Sequence, residues 1–119
     1  MTLHNKQFGQ WGEDMATEFY AKQGYSVIER NYRRRFGEID LICAKGNEIV
    51  FIEVKTRSTN FLPGERAVNY EKRDTIKRLI KYYIQAKNIG RDVDCRFDIL
   101  VVEKEGDKVN FRQQENVIL

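Results

Sequence analysis

The chain has 119 residues, 41% hydrophobic and 33% charged, with 21 lysines and arginines against 18 acids and a net charge of +3. That bounds it to one globular domain, residues 1–119, with a modest core. It contains no repeat, no low-complexity stretch, no apolar run long enough to span a bilayer and no signal-peptide pattern, so a cytoplasmic protein without a membrane partner is expected.

The lone histidine, His4, leaves almost no room for a histidine-based zinc site or a catalytic triad. Cys43 and Cys95 lack metal-ligand spacing and fall in predicted strands, so both are expected as buried, reduced thiols.

In chain order, the spacing predicts a helix over residues 8–23, ended by Gly24 as C-cap. Its apolar stripe is Phe8, Trp11, Met15 and Phe19, with Ala16 and Tyr20 beside it. A neighbouring stripe of Gly9, Gly12, Glu13 and Ala16 is small enough for another backbone to come close. Glu13 on that stripe either points inward toward an acidic site or stays at the surface. Residues 25–32 read as a strand, with Tyr25, Val27 and Glu29 alternating against Ser26, Ile28 and Arg30. Residues 30–35 hold four arginines and no acid, a cluster suited to a polyanion. Gly37 beyond it permits close backbone approach.

Residues 39–44 and 49–54 are two apolar-rich runs around Lys45-Gly46-Asn47-Glu48. Gly-Asn between such runs is a two-residue hairpin turn. With that loop, Lys45 faces Glu48, Asp40 faces Glu53 and Glu38 faces Lys55. The four charged residues nearest the open end then share one face, and Ile39, Leu41, Cys43, Val50, Ile52 and Val54 form a wholly apolar second face. Directly opposed carboxylates repel, a pairing that a surface sheet avoids. A divalent cation such as Mg²⁺ resolves it, because hard cations take carboxylate oxygens. A lysine two residues after Glu53 then stands where charge develops on a phosphate under attack. The alternative is an ordinary solvated hairpin face. Against it, Ile42, Ile49 and Phe51 share that face, which fits strands covered on both sides, where a charge needs a reason.

Residues 58–64 form a loop holding the only proline; Phe61 and Leu62 in it either wedge against bases or pack onto the domain, and packing is the favoured reading. Residues 70–87 read as a second helix, with Asn69 as N-cap, Glu71 and Asp74 suited to the first turn, and an apolar stripe of Ile76, Leu79, Ile80, Tyr83 and Ile84. Lys72, four residues before Ile76, either reaches the acidic site or extends to water. Arg73, Lys77, Arg78 and Lys81 lie outward, facing either phosphates or plain solvent. Residues 94–102 form a strand with Cys95, Phe97, Ile99 and Val101 on one face and Arg96, Asp98, Leu100 and Val102 on the other. Gly106-Asp107 is a turn, and residues 108–112 are the last strand. The element order gives an α/β fold with a mixed central sheet flanked by helices.

Asp40, then Glu53-Val54-Lys55, with a helical glutamate upstream at Glu13, resembles the PD-(D/E)xK nuclease superfamily. The blocks Gly9-x-x-Gly12-Glu13, Arg30-Asn31-Tyr32, Gly37-Glu38-Ile39-Asp40-Leu41-Ile42, Phe51-Ile52-Glu53-Val54-Lys55-Thr56-Arg57, Lys72 and Arg96-Phe97-Asp98 together look like the bacterial YraN family. They run over nearly the whole chain. The resemblance implies a restriction-endonuclease-like core, with Asp40, Glu53 and the Val54 carbonyl as ligands of Mg²⁺ or Mn²⁺. It also implies Lys55 as the catalytic lysine and Glu13 as a further acid near the metal. Archaeal Holliday-junction resolvases are similar in this arrangement, so the implied activity is a metal-dependent endonuclease acting on DNA, branched or structured DNA in particular. The superfamily's signature proline is replaced here by Ile39. Arg33, Arg34, Arg35, Arg57, Lys72 and Arg73 are the expected nucleic-acid contacts, and a symmetric cut of both strands would take a homodimer. The rival expectation is a nucleic-acid-binding or adaptor domain that keeps the nuclease fold with little or no turnover. RNA in place of DNA is a third.

Overall fold

The computed structural model of the chain describes residues 3–58 and 70–119, with side chains over residues 6–58 and 72–119. The elements are α1 (Leu3–Lys22), β1 (Ser26–Arg34), β2 (Gly37–Lys45), β3 (Glu48–Ser58), α2 (Tyr70–Ala86), β4 (Asp94–Glu105) and β5 (Lys108–Gln114). The strands form one mixed sheet in the order β1-β2-β3-β4-β5. All neighbours are antiparallel except β3 and β4. A parallel pair needs a long crossover, and α2 lies between those two strands in the chain. Ser58, expected to open a loop, is the last residue of β3; the rest of that loop, residues 59–64 with Phe61 and Leu62, and the proposed helix N-cap Asn69 and first-turn Glu71 lie outside the described residues or side chains.

The helices cover opposite faces of the sheet. On one, Ile76, Leu79 and Tyr83 of α2 pack with Tyr32, Ile42, Phe51, Phe97 and Ile99. On the other, Ala16 and Tyr20 of α1 pack with Leu41, Cys43, Val50, Ile52, Leu100 and Val102. Strand β3 is buried from both sides, and Val50, Phe51 and Ile52 are fully covered. This is why its sequence is nearly continuous in apolar residues instead of alternating. The architecture is the expected α/β one, with a restriction-endonuclease-like core. No helix among the described residues is long and apolar enough to cross a membrane.

Three local expectations change. First, α1 begins at Leu3, and its deepest line is Gly12, Ala16 and Tyr20, not the aromatic stripe. Phe8, Trp11, Met15 and Phe19 are only half-buried. The small residues win because they let the helix axis come close to β3: a Cβ on Gly12 would sit 2.9 Å from Thr56 Cγ2 and closer still to its hydroxyl. Gly12→Ala is therefore expected to cost about 1–3 kcal/mol by overpacking. Gly9→Ala, where an added Cβ has open space, should be neutral or stabilising by up to about 1 kcal/mol. Urea melts of the two variants check the contrast, and equal effects would remove the close approach as the reason for Gly12.

Second, β1 does not alternate evenly. Its pairing with β2 slips between Val27 and Glu29, leaving Ile28 45% exposed. Third, Cys95 is exposed while Cys43 is buried. Cys95 sits at the start of β4, before α2 and the sheet close over it.

Candidate active site

The hairpin register is the one the turn dictates, from Lys45↔Glu48 to Leu41↔Ile52, with Gly46 at φ +58°. The ladder then stops. Asp40 and Glu53 are not paired across it, nor are Glu38 and Lys55. The cause is a side chain: Asp40 Oδ2 accepts the Val54 N–H at 2.8 Å and so takes a bond that a neighbouring strand would otherwise make. Ile39 accordingly joins the α2-side core with Ile42 instead of lining the opposite face with Leu41. Beyond Leu41 and Ile52 no ladder pairs β2 with β3, and Asp40 and Glu53 flank this unpaired stretch, the acidic recess. Strict alternation could not have revealed this, because it assumes a continuous ladder.

Asp40 and Glu53 remain close enough to repel. Burial pushes the Asp40 carboxyl up to about 7, the Val54 N–H pulls the other way, and the charges of Glu13, Glu53 and Glu38 raise it further. Glu53 is 14% exposed at its side chain, and its Oε1 forms an ion pair with Lys72 Nζ from α2. Its Oε2 is buried with no hydrogen-bond donor among the described residues. Of the two readings of Lys72, the structure has the one that reaches the acids. Lys55 follows on β3, and burial lowers its pKa, with Glu53 opposing and Lys72 and Arg57 adding to the fall. Arg57 Nε is also buried without an acceptor among the described residues.

Glu13 is drawn inward. Its carboxylate lies 3.7 Å from Arg30, which holds Asp14 more tightly at 2.8 Å. Asn31, with its amide turned to donate, reaches Glu38 at 3.0 Å and Glu13 at 3.3 Å. Asn31 sits mid-strand at φ +53°, a conformation asparagine tolerates better than most residues. Sequence reasoning gave it no role; an asparagine inside a basic strand was the available signal.

An acid whose folded pKa is raised binds its proton more tightly when folded. Its stabilising contribution is full at low pH and is lost as pH rises. The metal-free protein should therefore lose stability between about pH 4, the unperturbed carboxylate value, and about 7, the folded value of Asp40. Thermal melts across that window are expected to show a falling Tm, with Asp40→Asn flattening the fall. An unchanged slope in the variant would place the protonation elsewhere.

Asp40 and Glu53 fit a hard divalent cation. Buried repulsion and an orphaned carboxylate oxygen are what such an ion relieves. Among the described residues no three carboxylate, histidine or cysteine side chains gather into a metal cage. Mg²⁺ does not require one, since it keeps several waters and takes one or two carboxylates plus substrate phosphates.

The expected nucleic-acid contacts divide. Arg33 bonds Glu38 at 2.9 Å, Arg34 stacks on aromatic rings, and Arg35 is exposed. Arg57 lies beside Lys55, Lys72 is committed to Glu53, and Arg73 is half-buried on α2. Arg96 and Asp98, singled out only as a motif, form a separate buried network. Asp98 is fully buried and accepts bonds from Tyr20 (2.8 Å), Arg96 (3.0 and 3.1 Å), Gln113 (3.3 Å) and the Asn116 N–H (2.9 Å). Arg96 also bonds Glu48 at 3.2 Å. Every oxygen of Asp98 is satisfied, so this cluster holds the sheet together and leaves no valence for a ligand.

Fold and recess together define a mixed α/β protein with a restriction-endonuclease-like core and an acid pair at the splayed end of its central hairpin. The uncharacterised protein family UPF0102 matches residues 12–102, and the chain belongs to that family, the YraN family its motifs resemble. It is similar to the UPF0102 protein of Dictyoglomus turgidum, 38% identical over 96% of this chain and 98% of the relative. It is likewise similar to that of Alkaliphilus oremlandii, 40% identical over 94% and 97%, and to that of Moorella thermoacetica, 44% identical over 86% and 85%.

Proposed function

We propose that this chain is a Mg²⁺- or Mn²⁺-dependent nuclease that hydrolyses phosphodiester bonds in DNA, with branched or structured DNA as the preferred substrate. The observation that carries the reading is the acid pair where β2 and β3 part: a half-buried Asp40 beside Glu53, whose Oε2 has no donor among the described residues, with Lys55 two residues further along the same strand. Asp40, Glu53 and the Val54 carbonyl would hold the ion. When bound, it supplies Lewis-acid polarisation of the phosphate and a more acidic water. Lys55 places an ammonium where the non-bridging oxygens gain charge. Glu13 deepens the negative field at Asp40. Asn31 steadies Glu13 and Glu38, and Arg57 stands by for a flanking phosphate. A symmetric cut of both strands would bring two copies together.

One observation favours a second reading, a binding or adaptor domain without turnover: Lys72 already neutralises part of Glu53. The two separate in a cleavage assay with Mg²⁺ or Mn²⁺ on plasmid, single-stranded DNA, a four-way junction and RNA, with Lys55→Ala alongside. Product from the wild type and not from the variant supports the nuclease. Binding without product on every substrate supports the adaptor.

A further inference from the structure

The turn between β1 and β2 and the outer face of α2 carry a ladder of cations and aromatic rings. The Arg34 guanidinium lies between two rings, 4.6 Å from the centre of Tyr32 and 4.9 Å from that of Tyr82. Tyr82 meets Phe36 edge-on at 6.4 Å and 72°. Arg78 caps Phe36 at 4.2 Å. Tyr32 is buried and anchors the stack, whereas Tyr82 is 46% exposed and Arg34 and Arg78 face solvent. Tyr82 thus presents an exposed ring backed by the Arg34 guanidinium, next to a Phe36 ring covered by Arg78, and such paired flat and cationic surfaces suit a planar, anionic partner.

The ladder is continuous with the acidic recess. Along one side of α2, Lys72 meets Glu53, and Thr75 closes on Gly37, where an added Cβ would lie 2.5 Å away. Arg78 then covers Phe36, and Tyr82 reaches Arg34. Residues 72 to 82 span about 15 Å of helix, the length of about four stacked nucleotides at roughly 3.4 Å each. Flat guanidinium and phenol surfaces read the faces of bases, and in a duplex those faces are hidden by stacking.

We propose that this ledge binds unpaired DNA bases beside the recess, so that the preferred substrate carries a single-stranded segment next to the scissile bond. This rests on the nuclease reading only for what happens at the recess; the binding itself needs no cleavage. The test is fluorescence anisotropy in EDTA with a forked duplex, a single-stranded DNA, a blunt duplex and a single-stranded RNA of matched sequence.

The wild type is expected to prefer fork and single strand over blunt duplex. Tyr82→Ala should weaken those two by about 10-fold and leave the blunt duplex unchanged. Tyr82→Phe should bind as the wild type. Arg34→Lys, which keeps the charge but not the plane, should show the same selective loss without removing a ring from the stack. Equal binding of fork and blunt duplex by the wild type would overturn the proposal, as would a loss in the variants that is equal on all substrates. Tighter binding of the RNA than of the DNA would overturn the choice of DNA. Because no divalent ion is present, a protein that cleaves nothing but discriminates unpaired DNA leaves the ledge standing and removes only the nuclease.

Discussion

Lys55→Ala is expected to lower DNA cleavage by about 100- to 1,000-fold while leaving fold and metal-free DNA binding close to wild type. The magnitude is that of losing, under the proposed mechanism, one charge aimed at a developing oxyanion. The selectivity follows from Lys55's surroundings. It sits toward the end of β3, half-buried, where burial lowers its pKa, Glu53 opposes, and Lys72 and Arg57 add to the fall. Burial that disfavours the ammonium is relieved in the variant, so stability should fall by no more than about 1 kcal/mol. Single-turnover cleavage, thermal melts and anisotropy on one preparation separate the effects. A variant that cleaves like the wild type would take the lysine out of the mechanism. One that neither cleaves nor melts cooperatively would give it a structural role instead.

Asp98→Ala should be the most damaging single change to the fold, costing about 3–5 kcal/mol out of the roughly 5–15 kcal/mol that holds a domain of this size together. The carboxylate is fully buried and receives the Tyr20 hydroxyl, two bonds from Arg96, the Gln113 amide and the Asn116 N–H. It thus ties α1, β4, β5 and the segment after β5 at one point. Truncation strands the Arg96 guanidinium, 18% exposed at its side chain, with Glu48 as its remaining ion pair, and leaves the Tyr20 hydroxyl without its carboxylate. Burial, the largest cause of the raised Tyr20 pKa, persists in the variant, so that hydroxyl cannot ionise to compensate. Asp98→Asn keeps an acceptor and the volume and should cost less. Guanidinium melts read the effect as a lower midpoint with an unchanged slope. A midpoint within experimental error of wild type would mean that the network adds specificity without stability.

Much of the site was legible from residue types alone. Acid, acid-x-lysine and a Gly-Asn turn in sequence bring Asp40, Glu53 and Lys55 to the same end of one hairpin, because a tight turn fixes register locally. Glu13 could be placed on a small-residue helix face because helical period is local too. The errors share a different origin. The even alternation assumed for β1 fails at Ile28, and the uninterrupted ladder assumed beyond Leu41 fails at Asp40. Both depend on a side chain or an extra residue competing with backbone pairing, and local pattern carries no record of that competition. On α1 the small-residue stripe was legible as the side of close approach, and Gly12 against Thr56 bears it out; what pattern did not show is that the apolar stripe beside it stays only half-buried.

The sequence by itself determined the elements, their types, the hairpin register and the family, since these rest on local period, turn chemistry and ordered motifs. Tertiary structure decided the rest: that the acids share a recess instead of a ladder, that Lys72 serves Glu53, that Asp98 is a structural anchor, and that Arg34, Tyr82, Phe36 and Arg78 form one surface. Those outcomes are set by burial and by contacts between residues far apart in the chain. Burial raises the energy of every uncompensated charge, and only the folded arrangement shows which partner compensates it.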